Sequence, residues 1–161
     1  MADEPNNGGA AAAPAPGQAV EPTLQLIGQY IRDLSFENPG VGIQVQRPQI
    51  DLAVDLQARR GGEGNQFEVM LKLRITATDN SRTMFLLELA YGGMFVLSNV
   101  PEDSVQPILL IECPRLLFPF ARRVVADVVR DGGLPPLLIE PIDFVALYRS
   151  KMAEAQTSRV T

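Results

Sequence analysis

Histidine and tryptophan are both missing from the 161 residues, and cysteine occurs once, at position 113. Without histidine the commonest general base near neutral pH is gone. One cysteine allows no intramolecular disulfide and no cysteine–histidine zinc cluster. Cys113 sits in an apolar helical stretch before Pro114 and reads as packing rather than as a nucleophile. Basic residues are in the minority, 14 Lys and Arg against 19 Asp and Glu, for a net charge of −5. They are scattered apart from the pairs Arg59-Arg60 and Arg122-Arg123. A nucleic-acid surface needs clustered cations, so none is expected. An acidic surface suits a basic protein partner, or simply keeps the chain soluble. No apolar run approaches membrane-spanning length, so no direct membrane insertion is expected. The acidic start, Met1-Ala2-Asp3-Glu4-Pro5, does not read as a secretory signal, and the simplest location is cytoplasmic. Gly61, Gly62 and Gly64 lack phosphate-loop spacing. Asp51 and Asp55 share a strand face, which is more commonly solvated than cation-binding. Neither an enzyme nor a cofactor is expected.

What is present reads as an α+β chain. Residues 1–23 form an Ala/Pro/Gly-rich leader with few apolar anchors, expected to be disordered. Leu24, Leu26, Tyr30, Leu34 and Phe36 share one parity of a first strand, with Ile27 and Ile31 as exceptions. Asn38-Pro39-Gly40-Val41-Gly42 breaks it, and an irregular connection runs to Pro48. Ile50 to Gln57 alternates as a second strand. Phe67 to Thr78 is the cleanest alternation in the chain. Asp79-Asn80-Ser81 reads as a tight hairpin. In the fourth strand Phe85, Leu87, Leu89 and Tyr91 share one face; Met84, Leu86, Glu88 and Ala90 share the other. Gly92-Gly93 suggests a bulge or a close backbone approach.

Helices follow. One is expected from Asp103 or Ser104, carrying Val105, Ile108, Leu109 and Ile111. A second is expected to begin at Pro119, in the motif Leu116-Leu117-Phe118-Pro119-Phe120-Ala121-Arg122, because proline suits a first turn. It would end at Gly132-Gly133. Leu134 to Ile142 should be extended, and Asp143 should cap a last helix with Phe144, Leu147, Tyr148 and Met152 on one stripe. Ile108 to Ile111 is apolar all round, which one sheet cannot bury; a second subunit is inferred. The expected fold is a four-stranded antiparallel sheet with helices on one face. The folded domain would span 24–152, and 153–161 would be a flexible tail. Aromatics gather near element ends, where several beside the Gly/Pro-rich connection could line a groove.

Four motifs, in order, resemble the SecB family of bacterial protein-export chaperones. They are Asp33-Leu34-Ser35-Phe36-Glu37-Asn38-Pro39, Tyr91-Gly92-Gly93-Met94-Phe95, Leu117-Phe118-Pro119-Phe120-Ala121-Arg122, and Leu134-Pro135 with Pro141-Ile142-Asp143-Phe144-Val145-Ala146-Leu147-Tyr148. The resemblance runs from about Leu24 to Tyr148, and the leader is similar to that of alphaproteobacterial members. It implies a homotetramer, a dimer of dimers, acting as an ATP-independent holdase. Such a holdase keeps unfolded secretory precursor proteins translocation-competent and delivers them to SecA. It also implies a polypeptide groove at Phe36, Phe95, Phe144 and Tyr148, with Met94 added. SecA docking would fall at Asp33, Glu37, Leu86 and Glu88, and tetramer packing at Leu87, Leu89 and Tyr91. The chain departs from the family at Val45-Gln46-Arg47-Pro48, where well-known members carry a tryptophan, and in a short tail with little charge. Two alternatives stay open: a dedicated single-client chaperone of the same fold, for example for an antitoxin, and a carrier of hydrophobic small molecules. Leu86 and Glu88 speak against the single-client reading, since only a SecA-docking chaperone needs that face.

Overall fold

The computed structural model describes residue 17 and residues 19–44 and 47–160. Most of the expected leader, together with Val45 and Gln46, lies outside them. Four strands, β1 (Thr23–Glu37), β2 (Gln49–Arg60), β3 (Gln66–Asp79) and β4 (Arg82–Ser98), form one antiparallel sheet in the order β1-β4-β3-β2. β3 and β4 are central, and they carry most of the buried side chains. Strict alternation at Val69, Leu71, Leu73, Ile75 and Ala77 explains β3: five inward residues are fully or nearly fully covered. The hairpin between β3 and β4 turns on Asn80 and Ser81, both with positive φ (47° and 66°). That is the conformation a tight two-residue hairpin demands.

β1 departs from simple alternation. Its register against β4 shifts between Leu26 and Gly28 and again between Ile31 and Asp33. Each bulge inserts one residue and reverses the parity. Leu24 and Leu26 therefore pair with Leu97 and Phe95 on the helix-covered face. Tyr30 pairs with Gly92 on the open face, and Leu34 and Phe36 return to the covered face opposite Leu89 and Leu87. Tyr30 thus leaves the parity group in which the sequence placed it. A similar shift beside Thr78 leaves Met84 without a partner on β3. Met84 is only 1% exposed, under Gly40, whose N–H donates to the Met84 carbonyl at 3.0 Å. It does not share the open face with Leu86 and Glu88.

The helical region also differs from expectation. α1 (Glu102–Pro107), a π-helical turn (Ile108–Glu112) and α2 (Cys113–Asp131) follow one another with every junction residue helical, so they form one continuous helix. The Cys113 N–H reaches back five residues to the Ile108 carbonyl, and Pro114, which has no N–H, comes next. The wide turn absorbs the donor that proline lacks. Pro119 consequently lies inside α2, not at a helix start. The expected second subunit around Ile108–Ile111 is partly replaced from within. The π-turn contacts β2 and β3 on one side and α3 (Phe144–Thr157) on the other. Leu109 and Leu110 are buried there, while Ile108 and Ile111 remain half-buried. Asp143 caps α3 as expected, accepting from the Ala146 N–H at 3.0 Å. α3 runs five residues into the stretch expected to be a flexible tail.

Candidate functional site

The helices cover one face of the sheet, and the other is open. On that open face the register sets Asp33 beside Ala90, Ser35 beside Glu88 and Glu37 beside Leu86. Asp33, Glu37, Leu86 and Glu88 therefore form one patch across two neighbouring strands, with the apolar Leu86 half-buried among three carboxylates. Glu88 is paired with Arg74 of β3 at 3.3 Å, and both are well exposed. A pair so exposed is readily exchanged for a partner's cation.

Farther along the same face lies a group the sequence did not single out. Glu68 of β3 is buried, only 8% exposed. One of its carboxylate oxygens accepts from the Tyr30 hydroxyl and from Arg32 at 2.8 Å, and the other from Arg59 at 2.8 Å. Tyr30 and Arg32 belong to β1, so the contact reaches across β4. Gly92 makes this reach feasible: a methyl group there would lie 2.7 Å from the Tyr30 ring and 3.1 Å from Met70. The Tyr30 hydroxyl, aided by Arg59 and Arg32, holds the Glu68 carboxyl below the usual range against the opposing effect of burial. Burial, with Glu68 beside it, pushes the Tyr30 hydroxyl up. In the sequence Glu68 is one of several polar residues on the alternating outer face of β3, with Lys72, Arg74 and Thr76, and nothing there sets it apart. A cavity of about 850 Å³ opens over this face, lined by Arg32, Asp55, Arg59, Lys72, Arg74 and Glu88 among others.

The five groove residues do not meet in one place. Phe36 is half-buried at the end of β1, its ring 5.7 Å from that of Phe85. It rests against Gly132 at the end of α2. Phe95 pairs with Leu26 and Phe67 at the opposite end of β4, fully buried. Phe144 packs edge-on against Phe118 at 6.2 Å, and Tyr148 is half-buried one turn further on α3. Met94 lies on the open face, against Gly61, while Phe95 faces the helices. It is separated from the other four by the sheet itself. Beside Phe36 a cleft of about 270 Å³ lies between the β1–β2 connection and the end of α2. Leu87, Leu89 and Tyr91 are buried within their own chain, where they build the core.

Cys113, the chain's one cysteine, is fully buried. Burial, aided by the Glu112 charge, pushes the Cys113 thiol up to about 12, far from a reactive thiolate at neutral pH. Among the described residues no group of three or more Cys, Asp or Glu side chains could hold a metal ion. No helix among them is long and apolar enough to cross a membrane.

Comparison with known proteins agrees with the four motifs. The family model described as "Preprotein translocase subunit SecB" matches residues 17–155. Protein-export protein SecB of Hyphomonas neptunium is 54% identical over 149 residues, covering 91% of this chain and 90% of that one. Its counterpart in Dinoroseobacter shibae is 50% identical over 158 residues, covering 95% and 92%. Among solved structures, the Mycobacterium tuberculosis Rv1957 SecB-like chaperone, in complex with a ChAD peptide from the Rv1956 HigA1 antitoxin, is similar with a TM-score of 0.65. The identity is 14%, over 74% of this chain and 90% of that one, which bears on the fold alone. With the family model covering residues 17–155 and half of the positions shared with relatives over nearly full length, the chain belongs to the SecB family.

Proposed function

We propose that this protein is an ATP-independent holdase of protein export, binding unfolded precursors in the cytoplasm and delivering them to SecA. The observation that carries the reading is the near full-length match to relatives named protein-export protein SecB. The geometry is in keeping with it. A holdase needs apolar surface at the margin of a stable core and no reactive group. Phe36 and Tyr148 are such half-buried margins. Unfolded chains expose apolar segments, and burying them against such surface is favourable without sequence-specific contacts. Several weak subsites on one assembly add through effective concentration. The acidic patch Asp33, Glu37, Leu86 and Glu88 is the proposed SecA-docking surface.

Assembly as a dimer of dimers belongs to the same proposal. The two sheet edges are treated differently. On β2, the Lys151 amine from α3 donates to the Leu56 carbonyl and lies 3.7 Å from Asp55, so that edge carries a guarding charge. β1 presents Ile27 and Ile31, 50% and 46% exposed, along the other edge. An edge rich in apolar residues favours pairing with a second copy. Leu116 and Phe120, exposed on the outer side of α2, offer a further apolar contact.

The test is light scattering coupled to size exclusion, with and without a permanently unfolded secretory precursor. A tetramer that gains the mass of the unfolded precursor, and not of the same protein folded, supports the holdase. A tetramer that ignores the unfolded chain overturns it. The export reading is preferred to a single-client one because the protein-export relatives share about half of the positions, whereas the antitoxin-bound chaperone shares 14%.

A further inference from the structure

The open face carries two opposite charges that their own chain leaves unmatched. Asp33 of β1 and Lys72 of β3 flank Ala90 of β4. With one strand between them, their backbones lie about 10 Å apart. Neither forms an ion pair among the described residues. The charges around them are taken. Asp55, opposite Lys72 on β2, lies 3.7 Å from the Lys151 amine of α3, and Glu88 pairs with Arg74 at 3.3 Å. Lys72 is half-buried. A partly dehydrated ammonium without a counter-ion is well placed to gain from one.

Two further cations stand over the same hollow. The buried Glu68 carboxylate accepts from Arg32 on one oxygen and from Arg59 on the other. One negative charge cannot balance two guanidiniums, so one positive charge is left over. The Arg32 and Arg59 side chains remain 50% and 68% exposed. A guanidinium has more N–H donors than one carboxylate oxygen uses, so both can donate again. Arg32, Arg59 and Lys72 line the hollow of about 850 Å³ together with Asp33 and Glu88 of the acidic patch. The small side chain of Ala90 keeps its floor low between the two groups. The hollow is therefore basic toward Glu68 and acidic toward Glu88.

We propose that the partner bound at the acidic patch also places an aspartate or glutamate carboxylate among Arg32, Arg59 and Lys72. On the docking reading above, on which this rests, that partner is SecA. Its docking segment then carries both signs: a cation for Asp33 and Glu88 and, beyond Ala90, a carboxylate for Lys72. A segment with positive charge alone meets Lys72 as a repulsion. One with both signs finds a complement at each end, which fixes its register and direction across the strands. Glu68 holds Arg32 and Arg59 in place beforehand, so less ordering is left for the binding step.

The experiment pairs a charge reversal with chemical coupling. Lys72→Glu makes the open face more acidic, so a surface that recognises positive charge alone would bind SecA more tightly. The proposal requires the opposite, a loss of affinity of about tenfold or more, because two carboxylates then face each other. Lys72→Met removes only the charge and should lose roughly two- to fivefold. An affinity of Lys72→Glu that is unchanged or raised overturns the inference and leaves the acidic patch as the whole site. In the wild-type complex, carbodiimide joins amines to carboxylates in contact. The chain has two lysines, Lys72 and Lys151, so mass spectrometry readily assigns a coupled amine. The expected product is an amide between Lys72 and an aspartate or glutamate of SecA. Should Lys72→Glu fail to fold, coupling decides alone. SecA joined through Asp33 or Glu88 but not through Lys72 then overturns the inference, as does Lys72 joined only to a carboxylate of a second copy. Wild-type protein with no affinity for SecA removes the docking reading and this inference with it.

Discussion

Glu68 shows how one residue can organise a whole sheet face. Its carboxylate joins β1, β2 and β3 through Tyr30, Arg32 and Arg59, passing over the notch at Gly92. The partners hold its folded pKa below that of a free glutamate. The stability it contributes is therefore fully present above about pH 5 and is lost as the pH falls through the depressed value. Glu68→Gln should lower stability by about 2 kcal/mol at neutral pH, because two arginines lose their charged partner. The gap between variant and wild type should narrow as acid is added, as read by urea unfolding across the acid range. A gap constant with pH would show that the carboxylate is not what joins the strands. On the opposite face, Gly93 is a contact of a different kind. A methyl group there would lie 2.7 Å from Leu117 Cδ2 and 2.8 Å from Phe95 Cε2. Gly93→Ala should cost about 1–3 kcal/mol by overpacking, and an unchanged denaturation midpoint would show that α2 can lift away.

At the level of elements, legibility followed periodicity. β3 and the β3–β4 hairpin were readable because strict alternation and Asp79-Asn80-Ser81 leave one arrangement open. The Asp143 cap was readable because capping is local. β1 was misread at Tyr30 because a bulge reverses parity without any local signature, and it is the pairing with β4 that selects it. The long helix was read as two because proline was taken as a start. A π-turn can carry Pro114 within a helix whose packing supplies what the missing N–H does not. Of the candidate site, alternation in β4 placed Leu86 and Glu88 away from the helix-covered face, whereas their grouping with Asp33 and Glu37 of β1 came from the family resemblance. The separation of Met94 from Phe95 follows from the same alternation, since adjacent strand residues face opposite ways. Edges bear the next prediction. Ile31 is 46% exposed on β1, so Ile31→Lys should leave the single chain folded while introducing charge where a second copy would pair. The expected result is native far-UV circular dichroism with a smaller mass by light scattering. An unchanged mass would place the contact elsewhere. Leu89→Arg is not a substitute, because Leu89 is buried within its own chain and its loss would report folding.

For the molecule as a whole, the sheet separates two sets of candidate residues. Phe36, Phe144 and Tyr148 lie toward the helices and the connection, whereas Asp33, Glu37, Leu86 and Glu88 lie on the open face. If clients occupy one side and SecA the other, each can be disabled alone. Asp33 and Glu88 point away from the core and take no part in the Glu68 network, so reversing their charge leaves the packing untouched. Asp33→Lys with Glu88→Lys replaces two attractions for a basic partner with two repulsions, and Arg74 loses its pairing carboxylate and adds to the positive field. SecA affinity should fall by at least tenfold at low salt, and the deficit should shrink as salt is added, since exposed charges are screened. Affinity for an unfolded precursor, measured on the same preparation, should stay within about twofold, because the groove shares no side chain with the patch. Loss of both activities would mean that the two faces are coupled through the sheet, and loss of neither would remove the docking assignment.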